Sequence, residues 1–144
     1  MPPLLVVAAI IRHLDGHSSP PQQHLLITRR CAHQQHPGLW EFPGGKLEEN
    51  ESPEAGLRRE LDEELGLEVE IEGIYHVLHH RYETGPVLLL VYRCRSHSTR
   101  VEHRQVADHA WALPEQLSEY AILPADAELV RRIQRDPRFK TPSL

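Results

Sequence analysis

Residues Gly45 to Leu67 read GKLEENESPEAGLRRELDEELGL, and this stretch decides the fold of the 144-residue chain. Ser52 is a residue type that caps helix starts, and Pro53 suits the first helical position because no N–H is needed there. Gly66 is the residue type that most often ends a helix in a left-handed conformation. The stretch therefore predicts a helix over residues 53–65.

This helix carries an apolar stripe beside an acidic one. The apolar stripe repeats leucine every four residues, at Leu57, Leu61 and Leu65. Glu60, Glu63 and Glu64 fall within an arc of roughly 100°, so their carboxylates project the same way and repel one another. Clustered carboxylate oxygens are the ligands that Mg²⁺ and Mn²⁺ prefer. We therefore expect a divalent-cation site on the acidic stripe.

The same stretch resembles the Nudix box, G-x5-E-x7-R-E-U-x-E-E-x-G-U, in which U is aliphatic. Every fixed position of that pattern is filled, by Gly45, Glu51, Arg59, Glu60, Leu61, Glu63, Glu64, Gly66 and Leu67. The resemblance implies a Nudix-type α/β/α sandwich with a mixed β-sheet. It also implies an enzyme that uses Mg²⁺, or alternatively Mn²⁺, to hydrolyse a phosphoanhydride bond of a nucleotide.

The resemblance assigns roles to the box residues. The implied metal ligands are the three acids and one backbone carbonyl: Glu60, Glu63, Glu64 and Gly44. Glu60 is also the candidate to orient or deprotonate the attacking water. We expect Arg59 and Glu51 to support the site as an ion pair that fixes a carboxylate. A direct contact of Arg59 with phosphate is the alternative.

Segments outside the box resemble the MutT-type nucleoside triphosphate pyrophosphohydrolases. They are LLITRR at 25–30, WEFPGGK at 40–46 and LPAD at 123–126, and the similarity covers about residues 4–134. By this resemblance Arg30 contacts phosphate and Phe42 packs against the base. Lys46, directly after the glycines, is expected to neutralise phosphate, with a solvated lysine as the alternative.

Asp126 is the position that the resemblance assigns to the base edge. Oxidised-guanine enzymes of this type carry asparagine there, whereas a carboxylate only accepts hydrogen bonds and so suits an amino group such as cytosine N4. An oxidised guanine also offers an N–H. The predicted substrates are therefore cytidine-type or oxidised-guanine nucleoside triphosphates. The implied reaction attacks the β-phosphorus and yields monophosphate and pyrophosphate, as in MutT-like cleansing of the nucleotide pool.

Two other functions stay open at this point. One is a Nudix hydrolase of ADP-ribose, a nucleoside diphosphate sugar or a dinucleoside polyphosphate. The other is a non-catalytic nucleotide-binding Nudix module, whose signature would be lost carboxylates. A fourth metal-binding acid is also open, because Gln105 stands where MutT-like enzymes place glutamate. Glu102 or Asp108 could substitute for it, or no fourth acid exists.

Hydrophobic patterns outside the helix predict the rest of a single domain at residues 1–135. Strand-like runs occupy residues 4–12, 25–28, 40–42, 69–74, 77–82, 86–92 and 106–113. The turn residues at 15–21 favour an antiparallel connection of the first two strands. Residues 124–135 predict a closing helix, and the polar residues 136–144 are expected to form a flexible tail.

Composition limits the partners of the chain. A formal net charge of −5 does not suit a nucleic-acid scaffold, and no apolar run approaches the ~18 residues of a membrane span. Two cysteines suggest reduced thiols in a cytoplasmic protein, either monomer or homodimer. The histidines at 76, 79 and 80 lie in a strand-like run, where adjacent side chains face opposite ways. They therefore do not predict a histidine metal site.

Overall fold

Seven strands form one mixed sheet in the computed structural model, which describes residues 2–16 and 21–140. The strands are β1 (Leu4–Asp15), β2 (Gln22–Arg29), β3 (Trp40–Glu41), β4 (Gly44–Lys46), β5 (Glu70–Tyr82), β6 (Gly85–Arg95) and β7 (Asp108–Ala112). Two α-helices, α1 (Pro53–Leu65) and α2 (Pro124–Arg135), and 3₁₀ turns at Pro114–Glu119 and Pro137–Phe139 complete the fold. None of the helices in the described residues is long and apolar enough to cross a membrane.

Strand β1 lies at the centre of the sheet. It pairs in parallel with β6, from Leu4 opposite Val87 to Arg12 opposite Arg95. Its other edge pairs antiparallel with β4 at Val6–Ala8 and, further along, with β2 at Arg12–Asp15. The predicted antiparallel pairing of the first two strands is thus confirmed, although residues 17–20 of its connection lie outside the described residues.

Alternation along β1 divides the core into two layers. Val7, Ala9 and Ile11 pack with the leucines of α1, whereas Ala8 and Ile10 pack with α2 on the opposite face. Successive side chains of a strand point to opposite faces, so one unbroken aliphatic run serves both layers. The α/β/α sandwich with a mixed sheet is therefore confirmed.

Helix α1 covers the predicted residues, and its ends follow from the residues named in the sequence. The Ser52 side chain accepts a hydrogen bond from the Ala55 N–H at 3.2 Å, and Gly66 ends the helix at φ 60°. The three stripe leucines are completely buried. Burying one such side chain contributes about 1.5–3 kcal/mol, so the apolar stripe fixes which way the acidic stripe points.

Several boundaries differ from the sequence-based expectation. Residues 69–74 and 77–82 belong to one strand, β5, whose register shifts twice against β6, between Ile71 and Gly73 and between Ile74 and His76. Irregularities of this kind break the alternation that a sequence pattern relies on. Gly44 lies in strand β4, which the sequence pattern did not predict: a side chain there would collide with the Val7 carbonyl, so only glycine lets β4 approach β1.

The tail predicted for residues 136–144 is wrong for its first four residues. Asp136 accepts a hydrogen bond from the Arg138 N–H at 3.0 Å and so begins a 3₁₀ turn. This turn places Phe139 in the core on the α2 side, where only 1% of its surface is exposed. A single aromatic residue in a polar stretch gives no periodicity, which is why the pattern missed it. Residues 141–144 lie outside the described residues.

Candidate active site

A cleft of about 660 Å³ opens between the acidic stripe of α1 and the start of α2. It is lined by most of the residues that the sequence singled out: Arg30, Phe42, Gly44, Lys46, Glu60, Glu64 and Asp126. Glu51, Arg59 and Glu63 are not part of its lining. The structure therefore places the predicted residues in two groups, one that faces the cleft and one that stands behind it.

Arg59 is the centre of the group behind the cleft. Its Nε and Nη2 donate to the two oxygens of Glu51 at 2.7 and 3.0 Å, and its Nη1 donates to Glu60 and Glu63 at 3.1 Å each. Nη2 also donates to the Lys46 carbonyl at 3.1 Å. Hydrogen bonding from Arg59 lowers the pKa of Glu51 to about 2. One guanidinium thus fixes an acid of the helix relative to the loop that precedes it.

Glu60 and Glu64 are the box carboxylates that line the cleft. Burial raises the pKa of Glu60, against the lowering effect of Arg59. Burial, followed by the negative charge of Glu60 and of Glu41, raises the pKa of Glu64 to about 9. A side chain on Gly45 would overlap the Glu60 carboxylate, so this acid packs directly on the backbone of strand β4.

Glu63 occupies a more exposed position than its two neighbours. Its side chain is 45% exposed and shares the guanidinium of Arg59 with Glu60. Glu60 is thus linked to Glu63 through their shared hydrogen-bond donor Arg59, and it lies beside Glu64 inside the cleft.

The donor set of the cleft fits a hard divalent cation. Among the described residues, its lining has four carboxyl groups, Glu41, Glu60, Glu64 and Asp126, and two permanently charged bases, Arg30 and Lys46, besides two histidines. Carboxylate oxygens are the ligands that Mg²⁺ and Mn²⁺ select, and a cation would remove the repulsion that raises the pKa of Glu64. Strand β4 adds backbone carbonyl groups near Glu60, and the carbonyl of Gly44 is the one predicted to bind the ion.

Arg30 and Lys46 supply the positive charge of the lining. Arg30 is held by the Gln35 carbonyl at 2.6 Å and by Glu41 at 2.7 Å. The Lys46 side chain is exposed at the cleft rim, and its backbone carbonyl is held by Arg59. Arg30 is therefore presented in one orientation, whereas Lys46 is free to follow a bound anion.

Asp126 lines the cleft from the first turn of α2; we call this side the base end, and the side lined by Glu60 and Glu64 of α1 the box end. It is 4% exposed, and its Oδ2 accepts the Phe42 N–H at 2.9 Å. Burial raises the pKa of Asp126 to about 7, against the lowering effect of that N–H. Phe42 itself is 2% exposed and belongs mainly to the core. The base end thus presents a carboxyl group that is neither fully ionised nor fully neutral near neutral pH.

Sequence reasoning missed part of the lining. Glu41 faces both Arg30 and Glu64, and burial raises its pKa. Tyr82 closes the cleft between the rings of His36 and His80, at centroid distances of 5.4 and 4.5 Å. These residues come from an irregular loop and a strand end, where no period marks them. The alternation of Glu41 with the buried Phe42 was the only available signal.

The segment that could carry a fourth acid docks on the C-terminal end of α1. The N–H groups of Arg104 and Gln105 donate to the Glu64 carbonyl at 3.0 and 3.2 Å. Glu102 instead pairs with Arg104 at 2.6 Å, and Asp108 accepts the His109 N–H at 2.8 Å. Neither acid is among the residues that line the cleft. Glu102 and Asp108 therefore do not replace the missing glutamate in this conformation.

Comparison with known proteins gives consistent matches. The sequence profile described as the NUDIX domain matches residues 4–133. A CTP pyrophosphohydrolase of Escherichia coli is 39% identical over 127 residues, which are 87% of this chain and 87% of that protein. An 8-oxo-dGTP diphosphatase of Haemophilus influenzae is 29% identical over 128 residues, which are 89% of each chain.

Solved structures agree in fold. The solution structure of the E. coli ORF135 protein superposes with a TM-score of 0.70 at 31% identity, and covers 91% of this chain and 88% of that one. The crystal structure of a MutT protein from Methanosarcina mazei superposes with a TM-score of 0.78 at 23% identity, over 91% of this chain and 92% of that one. The second likeness concerns the fold alone.

Proposed function

The chain belongs to the Nudix family of hydrolases, which act on nucleotide phosphoanhydride bonds, and from this premise we propose that it cleaves nucleoside triphosphates to monophosphate and pyrophosphate. The observation that carries the proposal is one cleft with the partly buried acids Glu60 and Glu64 of α1 at its box end and the buried Asp126 of α2 at its base end. The first end suits a phosphate chain with its metal, and the second suits a base. The relative named CTP pyrophosphohydrolase supports the same reaction.

We assign the metal to the oxygen ligands of Glu60 and Glu64, with Glu63 and the Gly44 carbonyl completing the set. When bound, Mg²⁺ would neutralise charge on the phosphates and lower the pKa of a bound water. The chain contributes orientation: Arg59 fixes Glu60, and Gly45 leaves room for its carboxylate. Glu60 is our choice for the group that orients the water, since Arg59 holds it in place and it lines the cleft.

Phosphate binding is assigned to Arg30 and Lys46. Arg30 is already oriented by the Gln35 carbonyl and by Glu41, so a phosphate would meet a positioned guanidinium. The exposed amine of Lys46 would follow the end of the phosphate chain. Both lie in the same cleft as the box acids, which is what a metal-bridged triphosphate requires.

A cytosine nucleotide is our first choice of substrate. Oδ2 of Asp126 is held by the Phe42 N–H, so the other oxygen is left to meet a base. An ionised Asp126 accepts a hydrogen bond from cytosine N4, and the most similar relative reported above acts on CTP by name. An oxidised guanine is the second choice, because its extra N–H can donate to the same oxygen and another relative is named for 8-oxo-dGTP.

A panel of nucleotides with Mg²⁺ tests this function. We expect CTP, dCTP or 8-oxo-dGTP to give monophosphate and pyrophosphate, and reaction in ¹⁸O-labelled water to place the label in pyrophosphate. Label in the monophosphate would instead mean attack at the α-phosphorus. Turnover only of ADP-ribose, nucleoside diphosphate sugars or dinucleoside polyphosphates would replace the proposed substrate, and no turnover of any of them would favour a binding module.

Glu63 requires a test of its own because it is exposed. If it is a metal ligand, Glu63→Gln lowers turnover by orders of magnitude and weakens Mg²⁺ or Mn²⁺ binding measured by calorimetry. If it only shares the guanidinium of Arg59, the metal affinity stays near that of the unsubstituted protein. The first result would place all three box acids around the ion.

We also propose that the enzyme works in a reducing compartment such as the cytoplasm. Cys31 and Cys94 are both free thiols, and burial raises the pKa of Cys94 to about 12. A buried thiol with such a pKa is inert as a nucleophile, and unpaired cysteines are the usual state of proteins that meet glutathione.

A further inference from the structure

Two histidines and an aspartate meet on the surface beside the C-terminal end of α1. His103 Nε2 lies 2.7 Å from His109 Nδ1 and 4.0 Å from an Asp108 side-chain oxygen. One ligand atom from each residue lies within 4.8 Å of the other two. His103 comes from the loop after β6, whereas Asp108 and His109 begin β7. Two separate elements therefore contribute to one cluster.

We infer that His103, Asp108 and His109 bind a transition-metal ion of the Zn²⁺ class. Two imidazole nitrogens and one carboxylate oxygen form the three-ligand set with which proteins hold zinc, and a water completes a tetrahedron. Imidazole selects Zn²⁺, Co²⁺, Ni²⁺ or Cu²⁺ over Mg²⁺, which prefers oxygen ligands. The site thus differs in chemistry from the carboxylate site of the cleft.

The geometry needs only small side-chain movements to accept an ion. Zinc–nitrogen bonds of about 2.0–2.1 Å in a tetrahedron set the two nitrogens about 3.3 Å apart. The nitrogens of His103 and His109 would separate by about 0.6 Å, and Asp108 would approach His103 by a similar amount, from a starting arrangement in which all three ligand atoms lie within 4.8 Å of one another. The His103 and Asp108 side chains are 40% and 54% exposed, so both can rotate without disturbing the core.

The backbone around the cluster is already fixed on both sides. The residues flanking His103 donate to α1: the Glu102 N–H to the Leu65 carbonyl at 2.9 Å, and the Arg104 N–H to the Glu64 carbonyl at 3.0 Å. His109 is paired with Thr28 of β2. A bound ion would therefore fasten the loop after β6 between the helix that carries the box acids and the edge of the sheet.

A zinc titration by calorimetry in excess Mg²⁺ tests the site, because Mg²⁺ occupies the carboxylates of the cleft. We expect one zinc ion to bind per chain. His103→Ala and His109→Ala should each weaken zinc binding by at least about tenfold, because losing a metal ligand costs more affinity than losing a residue that only hydrogen-bonds to a ligand. His79→Ala, an exposed histidine on β5, is the matched control and should bind zinc unchanged. Co²⁺ should give the visible absorption bands of a tetrahedral site in the unsubstituted protein and in His79→Ala, but not in His103→Ala or His109→Ala.

Two results would overturn the inference. One is zinc affinity that is unchanged in His103→Ala or His109→Ala. The other is zinc binding that disappears in Glu64→Gln but persists in the histidine variants, because zinc would then occupy the cleft. Circular dichroism checks that each variant is folded, and His103→Gln repeats the test with a side chain of similar size. Neither outcome bears on nucleotide hydrolysis, which is measured separately.

Discussion

The box end and the base end of the cleft both hold carboxyl groups whose pKa is raised by removal from water, but their surroundings differ. At the box end, Glu60 and Glu64 repel each other, and a guanidinium stands behind Glu60. At the base end, the Asp126 carboxyl group accepts the Phe42 N–H, and no lysine or arginine among the described residues forms an ion pair with it. At the first end, we propose that a bound cation replaces the proton that the raised pKa leaves on Glu64. At the second end, we propose that Asp126 binds a substrate group either as a carboxylate or as a protonated carboxyl group.

This difference is why we propose different tasks for carboxyl groups in the same cleft, metal binding at the box end and recognition of the base at Asp126. Metal binding requires deprotonated ligands, so the affinity of the box end for Mg²⁺ should rise with pH. Base reading at Asp126 depends instead on whether its exposed oxygen accepts or donates a hydrogen bond. The following substitutions remove one end at a time.

The largest effect is expected from Glu64→Gln, which breaks the box end alone. Metal stabilisation of developing charge contributes several kcal/mol, so losing a ligand should lower kcat by about 100-fold or more. Steady-state kinetics with the best nucleotide of the panel measures this. Asp62→Asn is the matched control on the same helix, because that side chain is 70% exposed and faces Arg104. Turnover of Glu64→Gln equal to that of Asp62→Asn would contradict the assignment.

Asp126→Asn changes the base end alone. An amide both donates and accepts, so preference should shift toward guanine-type nucleotides by roughly 1–3 kcal/mol, or about 5–150-fold in relative kcat/KM. In the unsubstituted protein, the preference for an amino edge should grow as pH rises through 7, the pKa of Asp126, because the carboxylate only accepts. The substituted protein should lose that pH dependence. An equal change for every nucleotide would show that Asp126 does not read the base.

Arg59→Lys sharpens the comparison by keeping the charge behind the box while removing its geometry. Lysine cannot hold Glu51 through two parallel hydrogen bonds and reach Glu60 at the same time. We expect kcat to fall by about tenfold, because Glu60 loses its fixed orientation. KM should change little, because the substitution removes no contact with the substrate. Arg58→Lys, whose side chain binds the Val69 carbonyl, is the control. A rise in KM alone would point to a phosphate contact of Arg59.

The last prediction concerns stability rather than activity and again isolates the base end. The pKa of Asp126 is raised from 3.8 to about 7 by folding, so the folded protein holds this proton more tightly than the unfolded chain. The resulting stability is fully present below pH 3.8 and is lost as pH rises toward 7, with a slope of at most about 1.4 kcal/mol per pH unit. Urea unfolding at several pH values should show a flatter profile for Asp126→Asn than for the unsubstituted protein. Identical slopes would contradict burial of the ionisable group.

Much of the fold could be predicted because local and global signals agree in α1. A cap, a leucine stripe and a terminal glycine each define the same thirteen residues. Strand β5 was divided in the prediction because its bulges shift the alternation. Phe139 was missed because its burial depends on a turn set by Asp136 rather than on a repeated pattern.

The site was predictable only where its residues follow one element. Glu60 and Glu64 lie one turn apart on a helix, so spacing alone brings them together. The contact of Glu41 with Arg30 and the enclosure of Tyr82 by two histidines join residues whose neighbourhood exists only after folding. The same holds for the surface cluster of His103 and His109, which no spacing rule for zinc ligands describes.

The hydrogen bond between Phe42 and Asp126 joins residues that are 84 positions apart in the chain. The central parallel pairing of β1 with β6 spans a similar distance, from Leu4 to Val87. Contacts of such long sequence separation slow folding, because the loop between them must be closed first. During synthesis the box helix can form early, but the base end cannot assemble until residue 126 has emerged from the ribosome. A nascent chain therefore acquires the acids of α1 before the cleft that they line can be completed by α2.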